Sequence, residues 1–129
     1  YIAGEEEKVE VEPLKVWGVW NGKELSYEKI AISAHCNRVP VIDGHLTCVS
    51  VSFKKKPSVE NILNAWSSYT SPVSLPSLPT HPLFYHAEID RPQTRLDRDA
   101  GKGMGVTVGR LRSCPLWDYR FAALYWRRA

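Results

Sequence analysis

No apolar run in this chain approaches the ~20 residues that a membrane-spanning helix needs. Signal-peptide and lipidation motifs are missing too, so the expected location is the cytoplasm, with no membrane partner. Methionine is nearly absent. The single one is Met104, and the chain opens on Tyr1, from which we expect an N-terminus that was processed, trimmed or cut from something longer. The three cysteines, Cys36, Cys48 and Cys114, are odd in number and lack close spacing, which argues against a disulfide framework. They form no pair of ligand doublets, so no metal is expected. Cys36 and Cys48 are expected to be core thiols of a protein in a reducing compartment, with Cys114 on a loop. Charge is nearly balanced. A net +3 from 17 basic and 14 acidic residues is too mild for nucleic acid, and "FKKKP" and the terminal "WRRA" read as solvated ends.

What is present is ordinary for a globular protein, 43% apolar and 24% charged. The 129 residues fit one domain, 1–129, able to bury about two-thirds of its unfolded surface. Acidic residues in "GEEEKVEVEP" favour a helix start, and Pro13 is expected to stop it, giving a short helix from about Gly4 to Glu12. Asn21-Gly22 and Asp43-Gly44 are turn signals. "YEKIAISAHCNRVPV" alternates around Ile30, Ile32 and Ala34, and "HLTCVSVSFK" alternates clearly; both read as strands. "SVENILNAWSSY" reads as a helix capped by Ser58, with Ile62, Leu63 and Trp66 on one face. Four prolines make "TSPVSLPSLPTHPLF" an irregular connection. "RPQTRLDRDAGKGMG" reads as a charged, Gly-rich loop or loose hairpin, with Asp97, Arg98 and Asp99 solvated or in ion pairs. "GVTVGRLRSC" and "DYRFAALYW" read as two more strands, the last with some helical character. The expected class is α+β, a mixed or antiparallel sheet with helices packed on one face.

Few residues suggest chemistry by spacing alone. Arg38 and His45 lie seven apart across a proline and an Asp-Gly turn. An arginine fork suits a carboxylate or phosphate, and a histidine moves protons near neutral pH. On neighbouring strands they would converge on one ligand; otherwise Arg38 pairs with Asp43 and His45 is a surface residue. Glu5 and Lys8 share a helix face, which is usually a solvated pair. "GKGMG" lacks the ending and context of a phosphate loop. His35, His81 and His86 have no partners at metal spacing.

The stretches "YIAGEEEKVE", "ISAHCNRVPVIDGH", "RPQTRLDRDAGKGMGVTVGRLR" and "DYRFAAL" add what spacing does not. In order and spacing they resemble the aspartate-semialdehyde dehydrogenase family, in its fungal and archaeal branch, over nearly the whole chain. The resemblance covers only the family's catalytic and dimerisation domain; the nucleotide-binding domain has no counterpart here. It implies a homodimer and an anionic small-molecule substrate. It also implies NADPH-dependent reduction of aspartyl phosphate through a cysteine thioester. Arg38 would grip the substrate carboxylate and His45 would act as acid and base. Glu5 would lie near the substrate amino group, and Lys8 would hold phosphate. The nucleophilic cysteine and the NADP-binding segment would lie in the part not matched, so no cofactor is expected on this chain itself and none of its cysteines is the nucleophile. Departures from the family are Leu46-Thr47 in place of Thr-Glu, Val11 and Leu14 in place of Trp and Lys, the extra Trp17 and Trp20, the "YWRRA" ending, and Pro13 within a helix that the family runs to about Trp17. These departures admit two alternatives: a free-standing paralogue running cofactor-free cyclase or isomerase chemistry with His45 as base, or a non-catalytic dimeric binding module.

Overall fold

The structure, a computed structural model, describes residues 4–37 and 39–126. The chain divides into two compact units, Tyr1–Pro40 and Val41–Ala129.

In the first unit, helix α1 runs from Glu5 to Val16 with Glu5, Glu6 and Glu7 in its first turn, where carboxylates complement the helix dipole. Pro13 does not stop it. Proline removes one backbone donor and crowds the preceding turn, but the next turn still closes, with Trp17 N donating to Pro13 O at 3.0 Å. Tertiary contacts supply what propensity lacks: Leu14 O accepts from Glu28 N at 3.0 Å, and Glu6, Glu10, Pro13 and Leu14 form one half-buried stripe. A small hairpin follows, β1 (Val19–Trp20) and β2 (Leu25–Ser26). Its Asn21-Gly22 turn is held by Asn21 Oδ1, which accepts from Lys23 N at 2.9 Å and Glu24 N at 3.0 Å.

The stretch after the hairpin is extended but pairs with no strand among the described residues. The alternation read from sequence is real, since Ile32, Ala34 and Cys36 are half-buried and their odd-numbered neighbours exposed. The expected ladder is not, because the acceptors belong to a helix. Glu10 Oε1 accepts from Ala34 N and Glu6 Oε1 from Cys36 N, each at 2.9 Å.

The second unit is a four-stranded mixed sheet in the order β3-β6-β5-β4. Its strands are β3 (His45–Val51), β4 (Leu83–His86), β5 (Val106–Ser113) and β6 (Tyr119–Tyr125). The pairs β3–β6 and β6–β5 are antiparallel and β5–β4 is parallel, so the α+β class with a mixed sheet holds. Helix α2 (Val59–Ser68) starts as the sequence predicts, Ser58 accepting from Asn61 N. It lays Ile62 and Trp66 on the sheet face carrying Tyr85, Val108 and Phe121. Trp66 meets Phe121 edge-on at 5.2 Å and Tyr85 at 6.0 Å. A cavity of about 170 Å³ lies in this layer, between Phe53, Ile62, Leu111 and Phe121.

The β4-to-β5 crossover is not the expected loose hairpin. It folds into a short helix α3 (Thr94–Asp97) and a 3₁₀ turn (Ala100–Gly103). It covers the opposite sheet face, where Thr107 and Leu124 are 0% and 1% exposed. The crossover comes so close that a Cβ on Gly109 would stand 2.5 Å from Arg91 O. Asp97, expected to be solvated or in an ion pair, is 5% exposed and paired with Arg91. Its carboxylate takes Arg91 Nε at 2.8 Å, the Arg91 Nη2 group, and Gln93 N at 2.7 Å. A buried carboxylate needs such partners, and three donors six or fewer residues away make the segment fold around it.

The Arg91 hydrogen bonds hold the Asp97 pKa below the usual carboxylate value, against the opposing effect of burial. Its contribution to stability is therefore complete above the ordinary carboxylate pKa and fades as pH falls through the lower, folded one. Asp97→Ala should destabilise the Val41–Ala129 unit by ~1.5–3 kcal/mol, the range for hydrogen bonds to a charged group. Chemical denaturation at pH 7 and below pH 4 checks this; a deficit that does not shrink in acid would rule out the ionised carboxylate as its source.

Candidate functional site

Glu5 and Lys8 lie one turn apart on α1, as expected for a shared face. Glu5 is half-buried in the first turn and Lys8 is exposed. Arg38 lies outside the described residues. His45 belongs to the second unit, as the first residue of β3.

Three features fix His45. The preceding turn passes through Gly44 at φ 99°, a left-handed geometry that favours glycine. There is little room beside it, since a Cβ on Gly44 would come within 3.1 Å of Leu124 Cδ1 and 3.6 Å of Thr94 Cγ2. The turn thus rests on the most buried leucine of the sheet. The third feature is Tyr125, the cross-strand partner of His45. The two rings stack with centroids 5.1 Å apart and planes 19° from parallel. His45 remains exposed, so one ring face is held by protein while the group stays within reach of solvent. That is a workable arrangement for a proton-transfer group. The sequence reading missed Tyr125 because it fell in the tail that departs from the family; its signal was the pairing of "HLTC" with "AALY". Asp43 lies 4.0 Å from Arg98, whose Nε is also 3.8 Å from Asp99.

Cys114 lies on a loop as expected, but Cys36 and Cys48 differ from expectation. Cys48 is exposed, and Cys36 and Cys114 are half-buried, so none is a buried core thiol. Cys48 lies on β3, at the edge of the sheet. The Cys114 thiol sits below its usual pKa chiefly because the Leu116 backbone bonds to it, with the Trp117 backbone and the Arg120 charge adding to this. His86 stands between two carboxylates, Nδ1 3.4 Å from Glu88 and Nε2 3.8 Å from Asp97. Among the described residues no three His, Cys, Asp or Glu side chains are grouped to hold a metal ion.

The glycine-rich Gly101–Gly105 stretch does not suit a nucleotide phosphate. Gly103 N, Met104 N and Gly105 N all donate inside the turn, to Asp99, Gly101 and Ala100 carbonyls. The ring of Phe84 closes over it, within 2.5 Å of where a Cβ on Gly105 would lie. A phosphate cradle requires amides that point outward and lack partners.

Residues 1–124 match the family model described as "Semialdehyde dehydrogenase, dimerisation domain". The chain is 51% identical over 112 residues to an aspartate-semialdehyde dehydrogenase of Archaeoglobus fulgidus, covering 87% of this chain and 32% of that one. Against the enzyme of the same name from Cryptococcus neoformans, the identity is 41% over 133 residues, 95% of this chain and 36% of the relative. The solved structure of aspartate semialdehyde dehydrogenase with NADP from Candida albicans superposes with a TM-score of 0.87 at 39% identity, over 97% of this chain and 38% of that one. The chain thus spans about a third of the length of the curated relatives it matches. No helix among the described residues is long and apolar enough to cross a membrane.

The stack on His45 is open to a direct check. Replacing Tyr125 by Ala should move the His45 Cε1 proton downfield as the ring current is lost, while Tyr125→Phe should leave it nearly in place. Identical shifts in all three proteins would mean that the rings do not stack in solution.

Proposed function

From the premise that the chain belongs to the semialdehyde dehydrogenase family, through its dimerisation domain, we propose that it is the catalytic and dimerisation part of an aspartate-semialdehyde dehydrogenase. The observation carrying this reading is the 51% identity to the Archaeoglobus fulgidus enzyme over 87% of the chain. In the reaction implied by the family, aspartyl phosphate is reduced with NADPH. This chain's share is substrate binding and proton transfer. The guanidinium of Arg38 offers two parallel donors to the substrate carboxylate. Glu5 supplies an anion for the substrate ammonium and Lys8 a cation for phosphate. His45, exposed on its strand and stacked on Tyr125, exchanges a proton with the reacting group. As the family resemblance implies, NADP and the nucleophilic thiol belong to a separate nucleotide-binding part. The expected location is the cytoplasm.

A homodimer is part of the proposal. Its support is the family's dimerisation domain and the apolar surface that the second unit leaves open, including Leu46 at 51% and Leu116 at 84% exposure. Sedimentation should show a dimer at micromolar concentration; a monomer persisting to the highest soluble concentration would contradict it.

The chemistry is tested in a chimaera whose matched third is this chain's residues 1–124 and whose remainder is the Candida albicans enzyme. It should turn over aspartate semialdehyde with phosphate and NADP. His45→Ala should then lower kcat by about 10²–10⁴, the size of a general acid–base contribution. A His45→Ala chimaera as fast as its parent would remove this residue from the mechanism.

A further inference from the structure

The layer between α2 and the sheet holds an apolar cavity toward the end of β3 away from His45. From its walls and its rim we infer that it is a binding site for a small aromatic carboxylate, a single ring bearing one anionic group. The site is separate from the proposed reaction, since Val51 and His45 are the two ends of β3, about 20 Å apart along the strand.

The volume sets the size of the guest. The cavity measures about 170 Å³, with Val51, Ile62 and Leu111 on its aliphatic side and Phe53, Tyr119 and Phe121 on its aromatic side. An engineered cavity of about 150 Å³ with walls of this kind stays dry and binds benzene, so one ring fits here. Aromatic walls favour an aromatic guest, because edge-to-face contacts add to area burial. Phe53 and Tyr119 already meet in this way at 6.4 Å. The Tyr119 hydroxyl is engaged elsewhere, donating to Pro57 O at 2.6 Å.

Leu111 reaches this layer through a defect in β5. Val108 faces α2, and strict alternation would put Arg110 on that face and Leu111 on the other. Instead the register with β6 shifts between Gly109 and Arg112. Arg110 takes a left-handed conformation, φ 58°, which a non-glycine residue seldom adopts. The bulge leaves Arg110 exposed and places Leu111 in the cavity wall.

The rim is basic. The loop from β3 to α2 carries Lys54, Lys55 and Lys56, all exposed. Lys56 Nζ lies 5.1 Å from the centre of the Tyr119 ring, so a cation stands beside one wall. Its ion-pair partner among the described residues is Asp118, 4.0 Å away, whose other oxygen already accepts from Phe53 N at 2.8 Å. So long a pair between partly exposed groups is weak, which leaves Lys56 able to meet the anionic group of a guest.

Phenylacetate is the probe, with 2-phenylethanol and acetate as controls that each keep one part of it. In the full chain, phenylacetate should bind with Kd near or below ~1 mM, as so small a ligand allows. It should move the methyl resonances of Val51, Ile62 and Leu111 and leave that of Thr107, buried on the opposite face, in place. 2-Phenylethanol should bind about 3- to 5-fold more weakly, the size of an exposed ion pair, and acetate should not move the cavity methyls. Lys56→Gln should abolish the preference for the carboxylate and leave 2-phenylethanol binding unchanged. Val51→Phe, which fills the cavity from a half-buried position, should weaken both ring-bearing probes about 10-fold or more; Leu111→Phe makes the same test if Val51→Phe does not fold. No movement of the cavity methyls up to about 10 mM phenylacetate, or unchanged binding in a folded, filled variant, would overturn the inference. So would equal affinities for phenylacetate and 2-phenylethanol.

Discussion

A backbone N–H taken from water needs an acceptor, and much of this chain's irregular structure depends on carboxylates that meet that need. Glu6 and Glu10 accept from Cys36 and Ala34. Asp97 accepts from Gln93, and Asp118 Oδ2 accepts from Phe53 N at 2.8 Å just past the end of β3. In each case the acidic side chain lies on a regular element or in a turn, and the donor is in a stretch without a ladder of its own. The result is a chain that is modest in core, with only a few residues such as Val108, Ala122 and Leu124 below 5% exposure. Side chain to backbone bonds shape what hydrophobic burial does not.

The same rule separates what the sequence disclosed from what it hid. Period-two patterning located β3, β5 and β6, and Ser58 marked the start of α2, because these features are local. The helix through Pro13 and the missing ladder at residues 27–37 were not local. Both depend on α1 and the segment meeting each other, at Glu6, Glu10 and Leu14, which no window of a dozen residues contains. The crossover was misread for a related reason. Composition makes "RPQTRLDRD" look like a solvated loop, yet one of its aspartates is the buried hub. Burial of a charged residue shows in sequence only as a possible partner, here Arg91, six positions earlier.

For the site, spacing alone left Arg38 and His45 as one option among several. The resemblance gave them roles, and the structure contributes the surroundings of His45: a tight glycine turn on Leu124 and a stacked tyrosine. The two thiols read as core residues proved exposed or half-buried: Cys48 sits on β3, at the edge of the sheet, and Cys36 on the extended segment outside it.

Four residues of α1 rise about 6 Å and two of the extended chain span about 6.6 Å, a close but imperfect match that lets Glu10 and Glu6 hold Ala34 and Cys36 like two rungs. Each rung accumulates an offset of about 0.6 Å, and each four-residue step turns the helix face by a further ~40°. Two rungs absorb this and a third would not. The position that a third rung would occupy on α1 is Leu14, which has no side-chain acceptor and instead gives its backbone carbonyl to Glu28. The grip is therefore self-limiting: a helix can hold a short length of extended chain in one register but cannot become its sheet.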